Sequence, residues 1–251
     1  MMYSSIVAEW QKAKGSMALW LAGLGTIFNV LLFAGVTVVE HREGLTWSGY
    51  LGVHYQGIST MMLPLFVIIL CSLVHDLEHR HGHWELLRTC PVSPGGLYLS
   101  KWIFMLQLFV VAHVLFVLGI LGTGFALGWL LDDFAALRQK PDWSEVFQLI
   151  GLTIASVLGI LSVHHWLSLA FSRFIVPLTI GILGFVVTLL LQNGDWNYLW
   201  LLPYAPPLEY VRDWSSPAQP TWLGVYAGVW TSFGYGVLAL LGGYIWFLRK
   251  W

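Results

Sequence analysis

The chain has 251 residues, 57% of them hydrophobic and only 10% charged, with a mean hydropathy of +0.72. A soluble domain carries about 25% charged residues, so this surface cannot face water on all sides and the class is a polytopic membrane protein. The formal net charge of −1 offers no bulk attraction to nucleic acid.

The first apolar stretch runs for about 24 residues. That exceeds the roughly 7–15 residues of a signal-peptide core, so it is expected to remain as a span rather than be cleaved. Six stretches free of Asp, Glu, Lys and Arg follow along the chain, near 16–39, 55–75, 102–131, 146–171, 174–192 and 222–248. Each can cross the roughly 30 Å hydrocarbon layer, which takes about 20 helical residues. The third is long enough to tilt, kink or project beyond the bilayer. The expected fold is therefore all-α and integral to the membrane, one transmembrane domain over 1–251.

Orientation follows from the basic residues. With the amino end in the cytoplasm, Lys12, Lys14, Arg80, Arg88, Lys101, Arg173, Arg249 and Lys250 lie inside, and only Arg42, Arg138, Lys140 and Arg212 lie outside. An even number of spans then places both ends in the cytoplasm. Cys71 and Cys90 fall near that reducing face, and no disulfide framework is suggested. Trp47, Tyr50, Trp196, Trp200, Trp222 and Trp251 sit near span ends, as interfacial anchors do. Gly124-x3-Gly128 and Gly224-x3-Gly228 let helices approach closely, and packing within the chain is the expected use. Between the last two spans, about 193–221, Trp196, Tyr198, Trp200, Pro203, Tyr204, Pro206, Pro207, Tyr210 and Trp214 form an apolar, proline-broken segment. It is expected to dip into the outer interface.

The nine histidines invite a metal test. His75-x3-His79 puts two imidazoles on one helix face, a metal-ligand spacing. His81 and His83 follow, and His164-His165 lies in the fourth span. Repeated His boxes and H-E-x-x-H are both missing from the sequence. For axial haem ligation, only His113 with His164 or His165 is a candidate pair. The alternative function is thus a His-box, metal- or haem-dependent membrane oxidoreductase, but the favoured expectation is no metal site. His75, His79, His81 and His83 are then expected to form a hydrated helix face, and His113 to pack between helices or line a cavity. The spans hold no mid-membrane ionisable carboxylate or amine of the kind ion-coupled carriers use. No G-x4-G-K-[ST] occurs, so the chain carries no P-loop of its own.

The most polar run, 75–93, lies between spans two and three. Leu73, Leu77, Trp84 and Leu87 fall roughly on one stripe, so the second span can continue as a short amphipathic helix. Pro91, Pro94, Gly95 and Gly96 then turn the chain back. Here Glu78-x3-Gly82-x2-Glu85-Leu86-Leu87-x3-Pro91-Val92-Ser93, closed by Leu97-Tyr98-x2-Lys101, resembles the cytoplasmic signature of type-2 ABC exporter permeases. His83 and Cys90 stand where that signature commonly has Thr. Glu9, Trp10, Lys12, Lys14 and Trp20 at the amino end resemble the short permeases of lantibiotic-immunity and bacitracin-resistance exporters. The loop after the first span, about 15 residues, is too short for the large external domain of the drug-export relatives.

The resemblance implies a coupling helix between spans two and three, with Glu78, Gly82, Glu85, Leu86, Leu87 and Pro91 contacting or orienting a cytoplasmic ABC ATPase present in two copies. It also implies a second permease copy or paralogue, and a re-entrant outer segment in which Trp196, Trp200, Tyr204 and Trp214 form an outer gate or substrate surface. No cofactor is expected in this chain; ATP and Mg2+ belong to the partner ATPase. The implied location is the bacterial plasma membrane, and the implied substrate an amphipathic peptide antibiotic or a lipid-like molecule.

Overall fold

The computed structural model describes residues 2–40, 44–79, 93–194, 196–214 and 227–250, apart from the side chains of Met2 and Asp213. In chain order these form α1 (Met2–Ala13), α2 (Met17–Val39), α3 (Trp47–Gly57), α4 (Leu63–His79), α5 (Pro94–Leu130), α6 (Trp143–Ala170), α7 (Ile175–Asn193), α8 (Pro206–Trp214) and α9 (Ala227–Lys250). A π-turn at Ile58–Met62 joins α3 to α4, and 3-10 turns occupy Asp132–Arg138 and Leu199–Leu201. No strand occurs among the described residues. Six stretches are long and apolar enough to cross a membrane: Met17–Val39, Trp47–His79, Pro94–Leu130, Trp143–Ala170, Ile175–Asn193 and Ala227–Lys250. The expected all-α architecture with six spans is what the chain adopts.

Two boundaries differ from the sequence reading, for local reasons. The second span starts at Trp47 rather than near 55, because the Thr46 hydroxyl caps the helix by accepting from the Gly49 amide. The connection after the first span therefore shrinks to residues 40–46. The Trp47 and Tyr50 side chains are buried tertiary contacts rather than interfacial anchors. Trp47 Nε1 donates to the Gln139 carbonyl at 2.7 Å, and the Tyr50 hydroxyl meets Thr123 Oγ1 at 2.8 Å. The third span starts at Pro94, where the Ser93 hydroxyl caps and Pro94 sits in the first turn. The second span also runs on to His79, and with the earlier start of the third this brings Asp76, Glu78 and Lys101 inside the helices.

The π-turn has an identifiable cause. Pro64 lacks the N–H that an α-helix would direct at the carbonyl of Thr60, and the widened turn lets the Leu63 amide bond Ile58 O instead. Gly57 lies against the Phe33 ring, where a Cβ would come within 2.2 Å. At the other bend, Gly15, with φ of 75°, turns the chain between α1 and α2, and α1 packs against α5.

Val67, Ile68, Leu70 and Cys71 of α4 are fully buried and form the centre of the core with α5, α6 and α7. Helices α6 and α9 pack through small residues. Ser232 Oγ donates to Ser156 O at 2.8 Å and accepts from the Gly159 amide at 2.9 Å. Gly124 and Gly128 likewise serve packing within the chain, against Trp47 and against the backbone at Leu137 and Arg138. Large apolar side chains point outward from α2 (Leu24, Phe28, Leu31), α7 (Leu183, Leu190) and α9 (Leu238, Leu241), as lipid-facing surfaces do. The two chain ends meet at one end of the bundle: Glu9 pairs with Lys101, and Phe247 packs its ring 5.8 Å from that of Tyr98.

Candidate functional site

At the end of the bundle where the chain termini meet, four charges from three helices form an alternating ring. Lys101 Nζ lies 2.8 Å from Glu9 Oε2 and 2.5 Å from Glu78 Oε2. Lys12 Nζ lies 2.8 Å from Glu78 Oε1 and also bonds Glu9 Oε1. Glu9, Glu78 and Lys101 are buried, while Lys12 is partly exposed. Two positive and two negative charges cancel, so the ring carries no net charge into the apolar interior. Sequence reading found Glu78 and Lys101 in the polar signature but gave Glu9 and Lys12 no partner. Their i,i+3 spacing on α1 was the available signal.

This ring clamps the last turn of α4 to the first turns of α5, the two helices that flank residues 80–92. Glu78 is thus placed to orient that segment, with its carboxylate committed to Lys12 and Lys101. Gly82, Glu85, Leu86, Leu87 and Pro91, together with His81 and His83, lie outside the described residues.

Beneath the ring sits a histidine pair. His75 and His165 have ring centroids 5.1 Å apart, and the Tyr98 ring lies 4.4 Å from that of His165. Both imidazoles are buried, so His75 is not part of a hydrated face. The α4 face it occupies is covered by α6. His79 is half-buried and bonds the Ser168 carbonyl through Nε2 at 3.0 Å. His113 lies between Phe109 and Phe116, 3.4 Å from the Tyr55 hydroxyl, whereas His164 bonds Tyr204. Each therefore has its own aromatic neighbours. Among the described residues no group of three His, Cys, Asp or Glu side chains is arranged to hold a metal ion.

The segment after α7 inserts between helices at the opposite end. Trp196 and Trp200 are exposed, Trp214 is half-buried against Gly52, and Tyr204 is buried. The Tyr204 hydroxyl is 2.9 Å from His164 Nε2. The Tyr210 hydroxyl lies 2.5 Å from Thr153 Oγ1 and 3.3 Å from Ser59 in the π-turn. Burial pushes both phenols up to about 12, so both remain protonated and able to donate. Gln192, Trp196, Asn197, Leu199, Glu209 and Arg212 enclose a polar cleft of about 270 Å³ at this end. A second, smaller cleft of about 50 Å³ opens between α2, the π-turn and α5, lined by Asn29, Met62, Phe66, Phe109 and His113 among others.

Six membrane-length helices, two of them clamped together by charges at one end, define a polytopic helical membrane protein. The family described as ABC-2 family transporter protein matches residues 5–188, and the chain belongs to that family. The match covers α1 through most of α7 and stops before the 199–214 segment and α9. No curated protein matches the chain. Membership makes it a membrane transport component, in a family whose members in general work with an ATP-binding subunit.

Proposed function

We propose that this chain is the permease subunit of a bacterial ATP-driven exporter, carrying an amphipathic peptide antibiotic or a lipid-like molecule outward across the plasma membrane. Both chain ends are cytoplasmic in this reading. Residues 80–92, with Gly82, Glu85, Leu86, Leu87 and Pro91, dock on an ABC ATPase present in two copies. That partner binds ATP and Mg2+. A second permease copy or a paralogue completes the transmembrane pathway, and in this reading the chain is similar to the short lantibiotic-immunity and bacitracin-resistance permeases.

The observation that carries the reading is the buried ring Glu9–Lys12–Glu78–Lys101. It locks together the two helix ends from which residues 80–92 depart. A push on that segment is therefore delivered to both helices at once instead of being absorbed at a frayed terminus. At the far end, the re-entrant 199–214 segment, with exposed Trp200 in it and exposed Trp196 just before it beside a polar cleft, suits a substrate with one apolar and one polar face. Tyr204 and Trp214 hold that segment in place.

Co-purification with the ATPase tests the docking assignment. Glu85→Arg reverses the charge of the docking segment and is expected to abolish assembly and the ATP turnover that assembly stimulates. Unimpaired assembly with full turnover overturns the assignment.

A further inference from the structure

Adjacent histidines of α6 touch both the residues beneath the charge ring and the 199–214 segment. His165 lies against His75 of α4 and Tyr98 of α5, each one helical turn from a member of the charge ring, Glu78 and Lys101 respectively. The next residue, His164, faces a different neighbour and meets the Tyr204 hydroxyl. Both contacts leave adjacent positions on one rigid helix, so a shift of α6 against α4 and α5 is a shift at Tyr204. From Tyr204, Ala205 leads straight into Pro206 and Pro207 at the start of α8, where the proline rings restrict the backbone.

The socket around this contact is closely fitted. A Cβ on Gly181 would come within 2.5 Å of His164 Cε1, and one on Gly184 within 2.4 Å of the Tyr204 ring. His164 Nδ1 has no hydrogen-bond partner among the described residues, so the bond to Tyr204 is the imidazole's one polar contact there. Parting the two would leave an imidazole nitrogen and a phenol both unpartnered in apolar surroundings. The contact is therefore made or replaced as a whole, not gradually loosened.

We infer that the His164–Tyr204 hydrogen bond is the latch through which movement at the ATPase-docking end repositions the 199–214 segment. His164 and Tyr204 act as positioning residues for transport. The inference rests on the permease reading above.

The test uses the full permease with its co-purifying ATPase in lipid nanodiscs, carrying Cys90→Ser and a reporter cysteine, Tyr198→Cys, at an exposed site adjoining the start of the segment. The readout is the rate of labelling by a polar maleimide, without nucleotide and after trapping with ATP and vanadate. The expected result is a severalfold nucleotide-dependent change in the unaltered latch. In Tyr204→Phe, which keeps the ring against Gly184, that change collapses by about fivefold, the scale of one lost hydrogen bond, while ATP hydrolysis persists. His164→Phe is expected to behave the same way.

Tyr235→Phe is the comparison. Its hydroxyl ties the same segment to α9 through the Leu201 carbonyl, away from the histidines, and its loss is expected to preserve the nucleotide response. No nucleotide response in the unaltered latch, a full response in Tyr204→Phe, or an equal loss in Tyr235→Phe each overturns the latch. Failure of the two proteins to co-purify overturns the permease reading itself.

Discussion

Lys101 is the residue whose environment constrains the chain most. An amine on a long side chain is buried with two carboxylates within 2.8 Å, and its removal leaves Glu9 and Glu78 facing each other with only Lys12 between them. Breaking a buried ion pair costs about 3–5 kcal/mol, because the surviving charge is stranded, whereas an exposed pair contributes roughly 1 kcal/mol or less. Lys101→Met is therefore expected to lower the thermal unfolding midpoint of the detergent-solubilised protein strongly, and Lys12→Met only slightly, since water reaches Lys12. Equal midpoints for the two variants would contradict the buried ring. Sequence alone could not reveal this ring. Its members come from positions 9, 12, 78 and 101, and each in isolation reads as an ordinary charge beside a membrane span.

Among the elements, the close contact of α6 with α9 sets how the last span joins the bundle. At Gly159 an added Cβ would approach the Ser232 carbonyl oxygen to 2.9 Å, and backbone cannot swing aside as a side chain does. Overpacking of this kind costs about 1–3 kcal/mol. Gly159→Leu is expected to force the two helices apart and reduce folded yield in detergent. Gly234→Ala, on the same α9 where nothing lies within 4 Å, is expected to leave yield unchanged; comparable losses in both variants would refute the contact.

The existence of these helices was legible from charge-free apolar runs, because lipid leaves a spanning chain few alternatives to a helix. The half of the second span before the π-turn was not. Trp47, Tyr50 and His54 look interfacial until Gln139, Thr123 and the Tyr50 carbonyl supply their partners. The π-turn also escaped sequence reading, although Pro64 is visible there, since proline more often ends or kinks a helix than widens one turn. At the candidate site, the polar run that holds Glu78 stood out in the sequence against the apolar spans on either side. The burial of His75 did not, because periodicity along α4 does not say that α6 covers that face.

For the whole molecule, the remaining question is which end faces the cytoplasm, and the arrangement of charges gives the answer a testable form. At the end holding α1, the described basic residues are Lys12, Lys14, Lys101, Arg173, Arg249 and Lys250; at the opposite end they are Arg138, Lys140 and Arg212. Lys12 and Lys101 are neutralised within the ring, and Arg138 is held by Asp132 at 2.6 Å. The described basic residues are six at the α1 end against three at the other, the same direction of bias as the sequence shows. The α1 end is then expected to face the cytoplasm. In intact cells, with Cys71 and Cys90 replaced by Ser, a membrane-impermeant maleimide is expected to label Lys140→Cys but not Lys14→Cys until the membrane is permeabilised. Both positions are exposed, so burial cannot imitate sidedness. The reverse pattern would invert the bundle, put residues 80–92 outside the cell, and remove any route by which an ATPase could drive it.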